Sequence, residues 1–328
     1  MSCQLSTFYE TVEVFISSDS LDSLEELSND VTKFAFVKNI ELNLSHYDVS
    51  SVADIGLHAS HCYHRHLLSC DYEERFSSSI VKPISLSEFD AVKGSSFDAA
   101  NATPIQKEIL ASHRDYVSKF NDQEALRNGG IYITRLSSAL LQLPNITSIT
   151  ITDENRHIPN DLRMGRSPWK SGPHHDGAIT TSPVELIPQL FQALKESSIR
   201  PIEFHLELGA PRDLQSLQLD SERKSAINQL LEHSKVSAFT MRDWDRGAGS
   251  DSTRSREEML ALGTMTKAIF STPNLESVVL RCQIFGLRRT LNIHYRISYL
   301  WHLKTNGNLD CEGLGANGSP APRQICRC

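Results

Sequence analysis

The chain contains no run of about 18 apolar residues, the length a helix needs to cross a bilayer, and no basic-then-apolar leader near its start. Those two absences predict neither membrane spanning nor secretion. It also lacks a commanding excess of one charge: 33 Lys and Arg stand against 40 Asp and Glu, a net −7 spread among both signs. Such a balance gives no electrostatic reason to expect nucleic acid or an anionic membrane as partner. Cysteine is sparse and unframed. The seven, at positions 3, 62, 70, 282, 311, 326 and 328, are odd in number and lack a disulfide spacing, which predicts reduced thiols in the cytosol or nucleus.

What the chain does have is a recurring apolar triplet with spacing i, i+3, i+5. The copies are Val37-Ile40-Leu42, Ile146-Ile149-Ile151, Ile199-Ile202-Phe204, Val236-Phe239-Met241 and Leu275-Val278-Leu280, each following a helix-like stretch. Two copies share more than spacing, since Leu143-Pro144-Asn145-Ile146 and Thr272-Pro273-Asn274-Leu275 read as one template. The last two positions of a triplet are two apart, as one face of a strand requires, while the first sits where a turn enters the core. This is the L-x-x-L-x-L pattern of leucine-rich repeats. Copies starting at 37, 146, 199, 236 and 275 are much farther apart than the roughly 20–29 residues of regular repeats, so the repeats are degenerate and loop-laden.

Helical periodicity precedes the triplets. Leu21, Leu24, Leu27, Val31 and Phe34 form one apolar stripe, with Asp22, Glu25 and Glu26 on the other side. Ser182-Pro183-Val184-Glu185 is a capping box that opens a second stripe at Val184, Ile187, Leu190, Phe191 and Leu194, and Pro188 should kink that helix or mark its start. Ile227, Leu230 and Leu231 mark a shorter helix. Ser255-Arg256-Glu257-Glu258 is another capping box, ahead of Met259, Leu262, Met265 and Ile269. Helix followed by strand, repeated, keeps neighbouring strands parallel through right-handed crossovers. The expected fold is α/β: a degenerate leucine-rich-repeat-like solenoid over residues 1–285, parallel strands on the inner face and helices outside. Ile149, Ile202, Phe239 and Val278 are expected as buried residues on adjacent strands.

Three stretches interrupt the pattern. Residues 46–103 read as a long insertion, and 154–181 and 243–255, rich in Gly, Pro, Ser and Asp, as surface loops. Beyond 285 the character changes: residues 286–328 carry Arg288, Arg289, Arg296, Lys304, Arg323 and Arg327 against Asp310 and Glu312. This basic tail is expected to be poorly ordered, and it is either a docking tail or sequence read through past an exon end.

The run Leu21 to Leu44, with Phe36-Val37-Lys38 leading into an alternating strand, resembles the first repeat of fungal leucine-rich-repeat-like F-box proteins. So does the segment from Asp115-Tyr116 through Gln123-Glu124 to Leu143-Pro144-Asn145, where that family has a tyrosine-bearing helix, a glutamine, and a helix ending in a Leu-Pro-Asn turn. The likeness spans about residues 8–285. It implies a protein-recognition receptor, with ubiquitin ligase components among its partners. The chain departs from the family in one respect: about 35 residues precede the first triplet and contain no Leu-Pro pair, so the F-box that docks the ligase adaptor is not expected here.

Candidate chemistry is confined to a few segments. His58, His61, Cys62, His64, His66 and Cys70 crowd together, and imidazole plus thiolate is what zinc takes, but the spacing fits no standard finger. His174-His175-Asp176 could supply a base and its orienting group, although neighbours on a loop rarely converge on one point. Gly313-Leu314-Gly315-Ala316-Asn317-Gly318 spells a dinucleotide fingerprint without the strand and helix it needs, since Ser319-Pro320 follows. Terminal Cys326-Arg327-Cys328 resembles a prenylation ending without a GTPase to carry it. The sequence therefore predicts a non-catalytic protein-binding chain without a cofactor. A structural scaffold unrelated to ubiquitin, and a metal-dependent enzyme built on residues 58–70, are the alternatives.

Overall fold

Each apolar triplet runs into or lies within backbone in extended conformation, and these extended segments join one sheet. The computed structural model describes residues 10–59, 104–153, 186–209, 214–242, 255–283 and 290–296. Seven strands lie side by side in chain order: β1 (Thr11–Phe15), β2 (Asn39–Asn43), β3 (Ser148–Thr152), β4 (Glu203–Gly209), β5 (Val236–Arg242), β6 (Ser277–Gln283) and β7 (Thr290–Arg296). The first six are parallel, and β7 returns antiparallel to β6. The fold is thus mixed α/β. β1 was not foreseen: its five residues alternate as Thr-Val-Glu-Val-Phe ahead of the first triplet, so the sheet starts one strand earlier than the repeats suggest.

The helices of the described residues are α1 (Ser18–Asn29), α2 (Val31–Phe34), α3 (Val49–Ala53), α4 (Pro104–Asn128), α5 (Ile131–Leu140), α6 (Leu186–Glu196), α7 (Ser221–Leu230) and α8 (Arg256–Phe270). α1, α5, α6, α7 and α8 touch one another in that order, and their apolar faces join alternate strand residues in a single core. Parallel neighbours require a crossover, and here each crossover supplies one helix to the same row. The expected stripe from Leu21 to Phe34 is broken. Asp30 ends α1 and caps α2 through a 3.0 Å bond from the Thr32 amide to its carboxylate, which leaves Val31 72% exposed. The capping box at Ser255 forms in full: its hydroxyl accepts the Glu258 amide at 3.1 Å, and Glu258 accepts the Ser255 amide at 2.9 Å. The earlier box at Ser182 lies outside the described residues. Pro188 falls in the first turn of the described part of α6, where a missing amide donor leaves no gap.

Register shows which apolar residues share a row. Val12, Ile40, Ile149, Phe204, Ser237 and Val278 stand opposite one another; one layer on come Val14, Leu42, Ile151, Leu206, Phe239 and Leu280. Ile149, Phe239 and Val278 are buried as expected, but Ile202 precedes its strand and is 43% exposed. The third and fourth triplets are therefore each displaced by two residues. Phe204 and Leu206 occupy the strand positions of the third, with Pro201 buried at the turn. Ser237 and Phe239 occupy those of the fourth, and Ser234 takes its turn position, donating its hydroxyl to the Pro201 carbonyl at 2.8 Å.

The shared Pro-Asn template has a shared task. Asn145 Nδ2 donates to the Ala35 carbonyl at 3.0 Å, and Asn274 Nδ2 donates to the Glu232 carbonyl at 2.7 Å. Ala35 and Glu232 lie at the same distance ahead of β2 and β5, so each asparagine laces its own turn to that of the preceding strand. The corresponding positions before β4 and β5 are Arg200 and His233, and these contact each other, Nη1 to Nε2, at 3.2 Å.

Two polar contacts fasten the first helix to its neighbours. Arg135 of α5 donates from Nε and Nη2 to the two Glu25 oxygens at 2.7 Å each and from Nη2 to Asp22 at 2.5 Å. Asp122 of α4 accepts from both the amide and the hydroxyl of Ser18. Gly130 separates α4 from α5 with φ +63, a left-handed conformation that side chains resist, so the two helices can join through so short a turn. Of the interval read as an insertion, residues 46–59 fold as α3 and a following helical turn over 55–59, while 60–103 lie outside the described residues. Of the tail, Thr290–Arg296 add β7, and 297–328 lie outside them.

The register makes a sharp mutational contrast. Phe204→Ala should cost about 3–5 kcal/mol because it removes a fully buried ring that packs on Phe191 at 5.5 Å, whereas Ile202→Ala should change stability by less than about 0.5 kcal/mol. Urea unfolding of both variants checks this, and equal losses would mean that the row is misassigned.

The Arg135 clamp should be visible in pH dependence. The hydrogen bond from Arg135 lowers the Glu25 carboxyl below its usual 4.5, with the cation's field adding to it and slight burial opposing. A depressed carboxyl contributes stability above its unfolded value and loses that contribution as pH falls through the folded value. Arg135→Lys, which cannot hold both oxygens in a fork, should cost about 0.5–1 kcal/mol at pH 7 on this solvent-screened surface. The gap between variant and wild type should narrow as pH falls through the lowered folded value of Glu25, and a gap that stays constant throughout acid titration would contradict the assignment.

Candidate functional site

Side chains of alternate parity along the strands face away from the helix row. Across the sheet's middle they are Glu13, Glu41, Thr150, His205, Ala238 and Val279, in register from β1 to β6. The row runs from acidic through polar to apolar. On its amino side stand Thr11, Asn39, Ser148, Glu203, Val236 and Ser277, more exposed at the β1 and β4 positions. His205 keeps 30% side-chain exposure with Nε2 3.9 Å from Glu203. A continuous, mostly half-buried face of mixed chemistry on a rigid parallel sheet is suited to contact with an extended partner surface.

The carboxyl ends of the strands are locked by side chains. Asn43, wholly buried at the end of β2, donates to Glu13 at 2.7 Å and accepts the Ser45 amide at 2.9 Å. Asp153, just past β3, accepts the Gly209 amide on both carboxylate oxygens at 2.8 Å, which ties β3 to β4. A methyl group on Gly209 would stand 3.3 Å from the Asp153 carboxylate, which would have to give by a few tenths of an ångström. From these locked ends the chain departs into its longest connections, after β2, β3, β4 and β5.

The segment after β2 is held by Tyr116 and Gln123 of α4. Tyr116 is wholly buried on α4, and its hydroxyl accepts the Asp48 amide at 2.6 Å. Gln123, two turns on along the same face, accepts the Tyr47 amide at 2.8 Å and donates to the Tyr47 carbonyl at 3.3 Å. The Tyr47 ring meets Tyr116 edge-on at 4.9 Å. Seven residues bring two side chains to one helix face, so this spacing lets a single helix grip two consecutive peptide groups.

His58 belongs to the same cluster. Its ring is buried, with Nε2 3.2 Å from the Ser112 hydroxyl and ring centroids 5.2 Å from His113 and 5.1 Å from Tyr116; His113 in turn places Nε2 3.0 Å from the Ser51 carbonyl. Its contacts are those of a packing residue between α3 and α4. His61, Cys62, His64, His66 and Cys70 lie outside the described residues, as do His174-His175-Asp176, the glycine run at 313–318 and the terminal cysteines. Among the described residues no three His, Cys, Asp or Glu side chains are grouped to hold a metal, and no helix is long and apolar enough to cross a membrane.

Titration is perturbed on the helix side. Hydrogen bonds from Thr32 and Lys33 hold the Asp30 carboxyl at about 2, Glu25 and Asp22 push the Arg135 guanidinium up, and burial pushes the Tyr132 phenol up. Each has a structural cause in a cap, a clamp or the core. Tyr116 and Gln123 stand among the residues quoted for the resemblance, whereas Asp122, Arg135 and Asp153 gave no sign in the sequence. Their partners lie 104, 110 and 56 residues away in the chain.

Loss of the α4 grip should loosen the segment after β2 without unfolding the sheet. Tyr116→Phe and Gln123→Ala each leave a backbone amide without its acceptor, which costs about 1–3 kcal/mol locally. Hydrogen exchange should show faster exchange at residues 47–59 and unchanged protection in β3 and β4; uniform acceleration across the sheet would refute a local anchor. Comparison of the chain with protein-family models, curated proteins and solved structures finds no match to any of them.

Proposed function

We propose that the chain is a non-catalytic protein-binding solenoid, leucine-rich-repeat-like, that receives a partner on the sheet face opposite its helices. The observation that carries this reading is the equivalence of Asn145 and Asn274, which make the same bond to the same point of the preceding turn in two separate units. Strand order identical to chain order supports it, because a unit that packs on its predecessor is what a solenoid repeats. On this reading its role would be that of the substrate-recognition region of an F-box ubiquitin ligase receptor, which the sequence pattern resembles, acting in the cytoplasm or nucleus.

The test is affinity capture with the full chain against a variant carrying Thr150→Arg and Val279→Arg, which puts bulk and charge on the face without entering the core. Mass spectrometry should find a protein set retained by wild type and reduced at least tenfold by the variant. Cullin-complex subunits in that set would support the ligase reading, and their absence would favour a scaffold unrelated to ubiquitin. Indistinguishable sets would overturn the use of this face.

A further inference from the structure

α4 lies outside the row formed by α1, α5, α6, α7 and α8, and its joint with α5 is two residues long, Gly129 and Gly130. Gly130 holds φ +63, where a side chain is strained. A Cβ on Gly129 would stand 3.0 Å from the Ile131 side chain and 3.3 Å from the Ala125 carbonyl oxygen, and these neighbours would have to give. The joint therefore favours glycine twice, and Asn128, the last residue of α4, is followed by the first of them. In an Asn-Gly pair no Cβ shields the glycine nitrogen, so it reaches the asparagine side-chain carbonyl with least hindrance. Within a helix that nitrogen is tied to the carbonyl four residues back, which blocks the approach. Here the tie, Gly129 N to Ala125 O, is 3.3 Å long and lies at the helix end, where helices fray. Asn128 is exposed, and its side-chain amide has no hydrogen-bond partner among the described residues.

We propose that Asn128 is a site of spontaneous conversion to aspartate and isoaspartate, and that the conversion loosens the hold of α4 on the segment after β2. Gly129 N bonds to Asn128 Cγ, the Cγ to Nδ2 bond breaks, and Nδ2 leaves as ammonia with the proton from Gly129 N. Water, the only co-reactant, then opens the cyclic imide. Attack at Cγ restores the main chain and leaves aspartate. Attack at the Asn128 backbone carbonyl carbon leaves isoaspartate, whose main chain is one carbon longer. Either product puts a carboxylate in the last turn of α4, where the helix dipole opposes it and Glu124 stands four residues back. The longer main chain also falls at the two-residue joint, so it displaces α4 relative to α5. The bonds at stake are those of Tyr116 to Asp48 and of Gln123 to Tyr47.

The full chain is kept at pH 7.5 and 37 °C for several weeks, with freshly purified chain as reference. Trypsin cuts after Arg127 and Arg135, so Asn128 is read in its own fragment, apart from Asn306-Gly307 and Asn317-Gly318. Mass spectrometry should show two new isomeric fragments in which NH2 is replaced by OH, forming faster at pH 8 than at pH 6.5 because the attacking nitrogen must lose its proton. Gly129→Ala should slow their formation at least tenfold, with its fold verified by a urea midpoint. Asn128→Ser, which has no side-chain amide, should give neither. Hydrogen exchange at residues 47–59 should be faster in aged than in fresh wild type, and equal in aged and fresh Asn128→Ser. A fragment that stays unmodified in the folded chain while the same chain is modified in urea would overturn the site. Exchange unchanged by the modification, or accelerated equally in aged Asn128→Ser, would overturn its consequence.

Discussion

Parallel pairing in chain order is the constraint on which the rest of the molecule depends. A strand cannot lie parallel to its predecessor unless the chain first travels back along the sheet. Here the return is made by helices of which α1, α5, α6, α7 and α8 touch in that order. Each helix must then bury its apolar side on the same sheet surface as the last, which is why one core runs from Val14 to Ile269. β7 is the exception. It pairs antiparallel with β6 and so needs no helical crossover to reach its place.

Because the helices occupy one side, the two faces of the sheet have different tasks. The helix-side rows are apolar apart from Ser237, a small buried residue between Phe204 and Val278. The other face is free to vary in chemistry, and it grades from glutamates at β1 and β2 to alanine and valine at β5 and β6. A core residue must match its neighbours in volume and polarity, whereas a residue on the open face is not held to that match. Variation along that face is therefore compatible with a uniform fold beneath it.

The fold class was legible because two periodicities alternate in the sequence, and the register was legible only where a turn fixed it. Triplets at Val37, Ile146 and Leu275 fall in their true positions, and two of them come directly after the Pro-Asn turn whose amide locks the approach to the strand. The triplets at Ile199 and Val236 were each misplaced by two. A slip of one residue would have turned the apolar side outward and been noticed, but a slip of two keeps every side chain on its own face. Alternation is blind to that error. β1 escaped notice because its five residues form a strand only with β2 beside it. The site was less legible still: Tyr116 and Gln123 show their spacing within one helix, but Asp153 finds Gly209, and Arg135 finds Glu25, only after the chain has folded.

The two edges of the sheet show how one scaffold divides stability from diversity. At the amino edge the turns are laced by asparagine amides and continuous backbone bonds, so adding residues there would displace every bond of the row. At the carboxyl edge, Asn43 reaches back to Glu13 of β1, Asp153 forward to Gly209 of β4, and Tyr116 holds the segment after β2, so these strand ends are closed by side chains. Chain added beyond such a closed end leaves the ladder behind it undisturbed. The long connections after β2, β3, β4 and β5 all depart from this side, and loop-closure entropy grows only slowly with their length. Chain length added where the chain leaves a completed strand spares the turns that set the next strand's register, and the uneven spacing of the repeats along the sequence follows from that placement.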